Sequence, residues 1–384
     1  MTRRAYFKTA RRAAGLAAVL ALTLANSTPG SANNTMLDQA RSAAERKAAE
    51  LLKRGLPGAL VGISAGAGQT KRIAIGVADI TTGAPLRVDH TMRIGSLAKL
   101  VVGTLALQLV DEGRIRLSDP VSNYVGDIPN GDRITLHMLG THKSGLFNPI
   151  ADPAFRTRIN ADPGAEIPFS AIVDVARRHP IAPASGRAFS YSNANTVLLA
   201  RTLETATGKS LAELIETRVR QPFGVDTPFI PKSAALADPE LRGYRYGERA
   251  GAVEYGTVLF DATEFSASWA GAAGNMNATL EDLLVLAKPL ASGATLSDDT
   301  RAVLHSFEPV AHGFEYGFQI ARFGDAIGHA GDVPGFSSFL AWLPSHDLSI
   351  VVLCNLSNMS DKRAPAEIIG RSIINELGKP SDER

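Results

Sequence analysis

The chain has 384 residues, 45% hydrophobic and 20% charged, a formal net charge of +2 and one cysteine. That length and ordinary globular composition can bury a large core, as two structural domains or one elaborated domain. The single cysteine excludes an intrachain disulfide framework, and the small net charge leaves no basic patch that would call for nucleic acid.

Most of the basicity sits at the start. Arg3, Arg4, Lys8, Arg11 and Arg12 precede an uncharged apolar run from Ala13 to Ala25, followed by small-residue cleavage sites at Thr23-Leu24-Ala25 and Gly30-Ser31-Ala32. This pattern predicts a signal peptide over residues 1–32, cleaved after Ala25 or Ala32, and hence an exported protein, periplasmic or secreted. Its apolar run falls short of the ~20 residues a membrane span needs, so no integral span is expected after processing. Thr2 to Lys8, with its paired arginines, also resembles a twin-arginine export signal. Removing this segment deletes five basic and no acidic residues, which takes the formal charge from +2 to −3.

Leu37 to Arg54, rich in Ala, Leu, Glu, Lys and Arg and stopped by Gly55, predicts a helix. Ala59 to Ala65 and Arg72 to Asp79 predict two strands joined by a hairpin turn at Gly66-Ala67-Gly68. From Ser96 the pattern turns helical, with Leu100, Val101, Leu105, Leu109 and Val110 at spacings of three and four before Gly113. Further helices are expected over Thr196–Thr207, Leu211–Val219 and Leu280–Leu290, whereas residues 226 to 265 predict irregular structure. Strands return at Tyr316–Phe323, Phe336–Leu343 and Leu348–Asn355. A last helix begins near Pro365 with Ile369, Ile373 and Leu377 on one face. Cys354, inside an apolar run, is expected to be a buried structural thiol. The pattern predicts an α/β fold: a discontinuous α/β domain (33–100 plus 310–384) whose antiparallel sheet is flanked by the N- and C-terminal helices, and an all-α insert over 101–309.

Ser96 is the candidate nucleophile. Gly95-Ser96-Leu97-Ala98-Lys99 opens the first helix of the middle section, and a Ser-x-x-Lys spacing puts both side chains on one helix face, so the lysine nitrogen can reach the hydroxyl. A serine needs such a base before it attacks, and the intermediate needs donors for its oxyanion. Tyr191-Ser192-Asn193 offers a second polar constellation just before a helix. His329-Ala330-Gly331-Asp332 offers a third, with Gly331 allowing close approach to the backbone. Gly62-Ile63-Ser64-Ala65-Gly66 fits a nucleophile elbow in letters only, because it runs into another strand rather than a helix. His137 and His142 stand five apart, off the i, i+4 face of a metal pair, and neither a metal nor any other cofactor is expected.

In chain order, Ser-x-x-Lys, Tyr-x-Asn and His-x-Gly resemble the motifs of the serine penicillin-recognising enzymes: class C β-lactamases, serine DD-peptidases and related esterases. Gln108–Pro120, Ile134–Leu146 and Gly328–Phe336 are similar to further stretches of that family, so the resemblance covers essentially residues 36 to 384. It implies a β-lactamase/transpeptidase-like fold, Ser96 as nucleophile, Lys99 sharing its proton, and Tyr191 as general base and then acid. Asn193 would contact the acyl-side amide, His329 would give electrostatic help, and the backbone N–H groups of Ser96 and Asp332 would form the oxyanion hole. The expected partner is a small peptide, ester or lactam substrate. The chain departs from the family where Ala330 replaces a threonine whose hydroxyl holds a substrate carboxylate, and Asp332 adds a negative charge beside it. Both features favour esters or amides without that carboxylate over a D-alanyl-D-alanine carboxypeptidase or β-lactamase role. The rival from another class is a catalytically silent peptidoglycan-binding protein.

Overall fold

This computed structural model describes residues 29–66, 68–181, 186–227, 229–248, 250, 253–310 and 313–378. The predicted leader up to residue 28, with its paired arginines and the Ala25 cleavage site, lies outside the described residues, as does Ala67 of the expected hairpin turn.

Helix α1 (Pro29–Leu52) leads to the hairpin β1 (Gly58–Ala65) and β2 (Gln69–Gly76), and β3 (Met92–Arg93) enters α2 (Ala98–Asp111) through a 3-10 turn at Gly95–Leu97. The middle section runs through α3 (Leu136–Gly140), α4 (Pro153–Ala161), α5 (Phe169–Arg178), α6 (Asn193–Thr207), α7 (Leu211–Ile215) and α8 (Gln221–Phe223). It continues with β4 (Tyr244–Gly247), β5 (Val258–Asp261), β6 (Asn277–Ala278), α9 (Leu280–Ser292) and α10 (Asp298–Leu304). The chain ends with β7 (Glu308–Pro309), β8 (Glu315–Tyr316), β9 (Ala321–Phe323), β10 (Ala326–Val333), β11 (Phe336–Leu343), β12 (Leu348–Cys354) and α11 (Pro365–Leu377).

Eight strands form one antiparallel sheet in the order β2-β1-β12-β11-β10-β9-β8-β7, so the two ends of the chain meet where β1 pairs with β12. Both central strands are apolar on both faces because both faces are covered. On one side, Leu37, Ala44 and Leu51 of α1 and Ile369, Ile373 and Leu377 of α11 pack against Val61, Ile350 and Cys354. On the other, Leu283 and Leu286 of α9 and the apolar faces of α2 and α6 meet Leu60, Val351 and Leu353. Cys354 is fully buried, and burial pushes its thiol pKa up, as befits an inert structural thiol.

The α/β class and antiparallel sheet match the sequence expectation. The insert departs from an all-α reading, because the stretch expected to be irregular holds the β4–β5 hairpin. The predicted strand Tyr316–Phe323 is instead two short strands. Between them Gln319 takes φ +59, and its amide turns away to donate to the carbonyls of Leu139 and Gly140.

Candidate active site

Ser96 lies where β3 turns into α2, and that turn is pressed against β10. A β-carbon on Gly95, which adopts φ +51, would stand 2.8 Å from Asp332 N. One on Gly331 would stand 2.3 Å from the Ile94 carbonyl oxygen and 3.0 Å from Ser96 N. Glycine at both positions is what lets the two backbones meet, and it brings the nitrogens of Ser96 and Asp332 to the same seam. Ser338 Oγ donates to the Ile94 carbonyl at 2.6 Å, and buried Arg93 donates to the carbonyls of Ala234 and Thr263 at 2.6 and 2.7 Å. The turn is thus fastened from both sides.

Lys99 follows one turn later, fully buried, with Nζ 3.1 Å from Ser96 Oγ, 3.0 Å from Asn193 Oδ1 and 2.8 Å from the Ala273 carbonyl oxygen. Burial lowers its pKa to about 7, with no carboxylate ion pair among the described residues to oppose the shift. An amine at that pKa is substantially unprotonated at neutral pH. Its two N–H groups then go to the two carbonyl-type oxygens, which only accept, and its lone pair faces Ser96.

Tyr191 comes from the segment before α6, where Ser192 caps the helix by accepting from Ala194 N. The Tyr191 hydroxyl donates to Ser96 Oγ at 2.9 Å, and Lys99 Nζ lies 4.9 Å from the centre of its ring. Burial raises the phenol pKa, with the Ser96 hydrogen bond acting the other way, so Tyr191 is held as a neutral phenol. Asn193, the first residue of α6, receives Lys99 on its side chain, while its backbone N–H donates to Asn148 Oδ1 at 3.3 Å.

His329, on β10, donates from Nδ1 to the Ala330 carbonyl at 2.5 Å and accepts at Nε2 from the Tyr316 hydroxyl at 3.0 Å. A carbonyl can only accept, which fixes the tautomer. Burial lowers its pKa to about 3, so it stands 6.4 Å from the Tyr191 ring as a neutral dipole rather than a charge. Asp332 ends the strand beside the pocket. Its Oδ2 accepts from the Tyr255 hydroxyl at 3.0 Å, while Oδ1 is buried without a hydrogen-bond partner. Burial raises its pKa, with Arg245 and Tyr255 opposing the shift.

A cavity of about 680 Å³ opens over these groups, lined among others by Ser96, Tyr191, Asn193, Trp269, Ala330 and Asp332. All seven residues singled out from sequence therefore gather at one place. Ser64 does not: it sits near the end of β1, its hydroxyl 3.1 Å from that of Thr70. Among the described residues, no His, Cys, Asp or Glu side chains group as metal ligands, and no helix is long and apolar enough to cross a membrane. Sequence reasoning misses Asn148, Arg245 and Tyr255, which also line the cavity. Asn148 and Tyr255 reach it from loops and Arg245 from β4, all distant in sequence from the three motifs.

A family model described as Beta-lactamase matches residues 41–371. The chain is 32% identical over 151 residues to the D-alanyl-D-alanine-carboxypeptidase/endopeptidase AmpH of Escherichia coli (strain K12), a match covering 38% of each protein. It is 32% identical over 202 residues to Esterase EstB of Burkholderia gladioli, covering 50% of each. These matches span half or less of the curated relatives' length. The solved structure of a D-stereospecific amidohydrolase from Streptomyces sp. aligns with a TM-score of 0.75 and 24% identity, over 88% of this chain and 98% of that one, a likeness of fold alone. With the family model running from α1 to α11 across a serine, lysine and tyrosine in mutual contact, the chain belongs to the Beta-lactamase family of serine hydrolases.

Proposed function

We propose that the chain is an exported hydrolase that cleaves small esters or amides through an acyl-enzyme on Ser96. The observation that carries this is the shared Ser96 Oγ, 3.1 Å from Lys99 Nζ and 2.9 Å from the Tyr191 hydroxyl. Ser96 attacks the carbonyl carbon as its proton passes to Lys99. The family resemblance implies Tyr191 as the base, but burial raises the phenol and lowers the amine, so Lys99 is the better acceptor. The oxyanion forms between the backbone N–H groups of Ser96 and Asp332, where one donor is worth roughly 3–4 kcal/mol of barrier. Collapse breaks the acyl bond, Tyr191 protonates the departing group, and the Lys99 ammonium returns a proton to the phenolate. Water then hydrolyses the ester on Ser96.

Ala330 and Asp332 share one face of β10, and together they offer a substrate carboxylate a methyl group and a negative charge. This supports carboxylate-free esters and amides as substrates. Two of the relatives, an esterase and a carboxypeptidase/endopeptidase, have acyl transfer in common. Export rests on the N-terminal pattern. Cleavage after Ala25 would leave α1 whole, whereas cleavage after Ala32 would remove its first turn.

The test is labelling with a fluorescent phosphonate. The expected result is a label lost in Ser96→Ala and kept in Ser64→Ala, together with faster turnover of short-chain p-nitrophenyl esters than of nitrocefin or D-Ala-D-Ala peptides. Equal labelling of Ser96→Ala, or a chain that hydrolyses none of these substrates, would overturn the reading. Cell fractionation and the mass of the exported protein test the leader.

A further inference from the structure

His142 enters the sequence argument only as half of a rejected metal pair, yet the fold brings it beneath Tyr191. It is fully buried and adopts φ +54, a left-handed conformation uncommon outside glycine. At that φ, two of its groups reach the same segment. Its carbonyl accepts from Ser190 N at 2.8 Å, and its Nδ1 accepts from Ser192 N at 3.2 Å, so one residue grips the backbone on both sides of Tyr191.

The ring grips the side chain as well. The imidazole stacks on the Tyr191 phenol with centroids 4.5 Å apart and planes 23° from parallel, and it meets Tyr316 edge-on at 5.2 Å. Asn195 Nδ2 donates to the same Nδ1 at 3.0 Å, and Asn195 Oδ1 in turn accepts from Ser144 Oγ at 2.5 Å. Because Nδ1 accepts from both donors, the proton sits on Nε2. Burial, helped by the nearby Lys99, pushes the imidazole pKa well below its usual value, which keeps it in this neutral tautomer.

We propose that His142 is a positioning residue of the active site: its carbonyl and imidazole together hold the Tyr191 phenol in the pose from which its hydroxyl reaches Ser96. The proposal rests on the acyl-enzyme reading above and deepens it. His142 is not among the residues that line the cavity, and the side chain it stacks on is Tyr191, so its effect on the reaction should be carried chiefly by Tyr191.

That requirement makes it testable by a double-mutant cycle on phenylacetamide, whose leaving amine must take a proton from Tyr191, with the wild type, His142→Asn, Tyr191→Phe and the double variant. Asparagine tolerates the positive φ and retains an acceptor for Ser192 N–H, so chiefly the stacked ring is lost. The expected result is a fall in kcat of about tenfold or more in His142→Asn with KM within about twofold, since a displaced catalytic group costs rate rather than binding. In the Tyr191→Phe background, the same change should cost less than about twofold. Wild-type kcat in His142→Asn, or an equal loss in both backgrounds, overturns the proposal and leaves the role of Tyr191 standing. Wild-type kcat in Tyr191→Phe, with Ser96→Ala inactive, overturns the role of Tyr191 first and this proposal with it. If His142→Asn does not fold, His142→Gly, which adopts the positive φ without strain and removes both the ring and the Nδ1 acceptor, carries the same expectations.

Discussion

Lys99 Nζ lies 2.8 Å from the carbonyl oxygen of Ala273, a contact that joins the helix after the nucleophile to the loop before β6. With Asn193 Oδ1 it uses up both N–H groups of a neutral amine and leaves the lone pair to Ser96. The depressed pKa of about 7 then sets the sign of the pH dependence. Below it Lys99 is an ammonium and cannot take the serine proton; above it the free amine can. Acylation, read as kcat/KM on a neutral ester, should rise with pH through about 7 and level off. A profile flat from pH 5 to 9 would exclude Lys99 as the base. Lys99→Met should lower kcat/KM by about 100-fold or more.

Asn193→Asp puts a carboxylate where a neutral amide oxygen now stands 3.0 Å from Nζ. An opposite charge at that distance favours the ammonium, which raises the Lys99 pKa by roughly 1–3 units. The rising limb of the profile should move to higher pH by that amount, with the high-pH plateau less affected. An unmoved limb would mean that the titrating group is not Lys99.

Gly331 carries a steric prediction. An alanine there places its β-carbon 2.3 Å from both the Ile94 carbonyl oxygen and Ser338 Oγ. The first of these is backbone in the nucleophile turn and cannot swing aside. Gly331→Ala should therefore destabilise the fold by about 1–3 kcal/mol, read in urea unfolding. It should also lower kcat, because relief comes from moving Ser96 away from Asp332 N.

Much of this arrangement is legible in the sequence where the signal is local. β1, β11 and β12 are apolar runs bounded by turn residues, and their limits match expectation within a residue. The approach of Lys99 to Ser96 is what the Ser-x-x-Lys spacing anticipates, but singling out that pair takes the Tyr191 and His329 motifs as well. The expected strand from Arg72 ends early because Gly76 takes φ +86, which no propensity rule places at that glycine rather than another. The β4–β5 hairpin is hidden because each strand has four residues and its connection carries no short turn signal. The second ring of the site is hidden for a different reason. His142 and Asn148 meet the Tyr191–Asn193 segment across 45 residues or more of chain, and Asp332 meets Tyr255 across 77, so only the folded chain shows that they touch.

The Tyr255–Asp332 hydrogen bond bears on the last prediction. Tyr255 is 42% exposed and ties the loop between β4 and β5 to the end of β10, with the buried Arg245 guanidinium 4.9 Å from its ring centre. Arg245 donates to the Val253 carbonyl and to Ser357 Oγ, so it makes no direct ion pair with Asp332, whose second oxygen remains unpartnered. A carboxylate-bearing substrate would meet this charge at the cavity wall, where repulsion at roughly 6 Å and an effective dielectric near 20 amounts to a few kcal/mol at most. Asp332→Asn removes the charge while the backbone N–H stays in place. It should raise kcat/KM for a D-Ala-D-Ala peptide by about tenfold relative to p-nitrophenyl acetate. Ala330→Thr, on the same strand face, should add to that gain by supplying the missing hydroxyl. If neither variant shifts the ratio, selectivity against carboxylates does not reside on this face of β10, and the narrowing of the cavity by Tyr255 becomes the explanation to test with Tyr255→Ala.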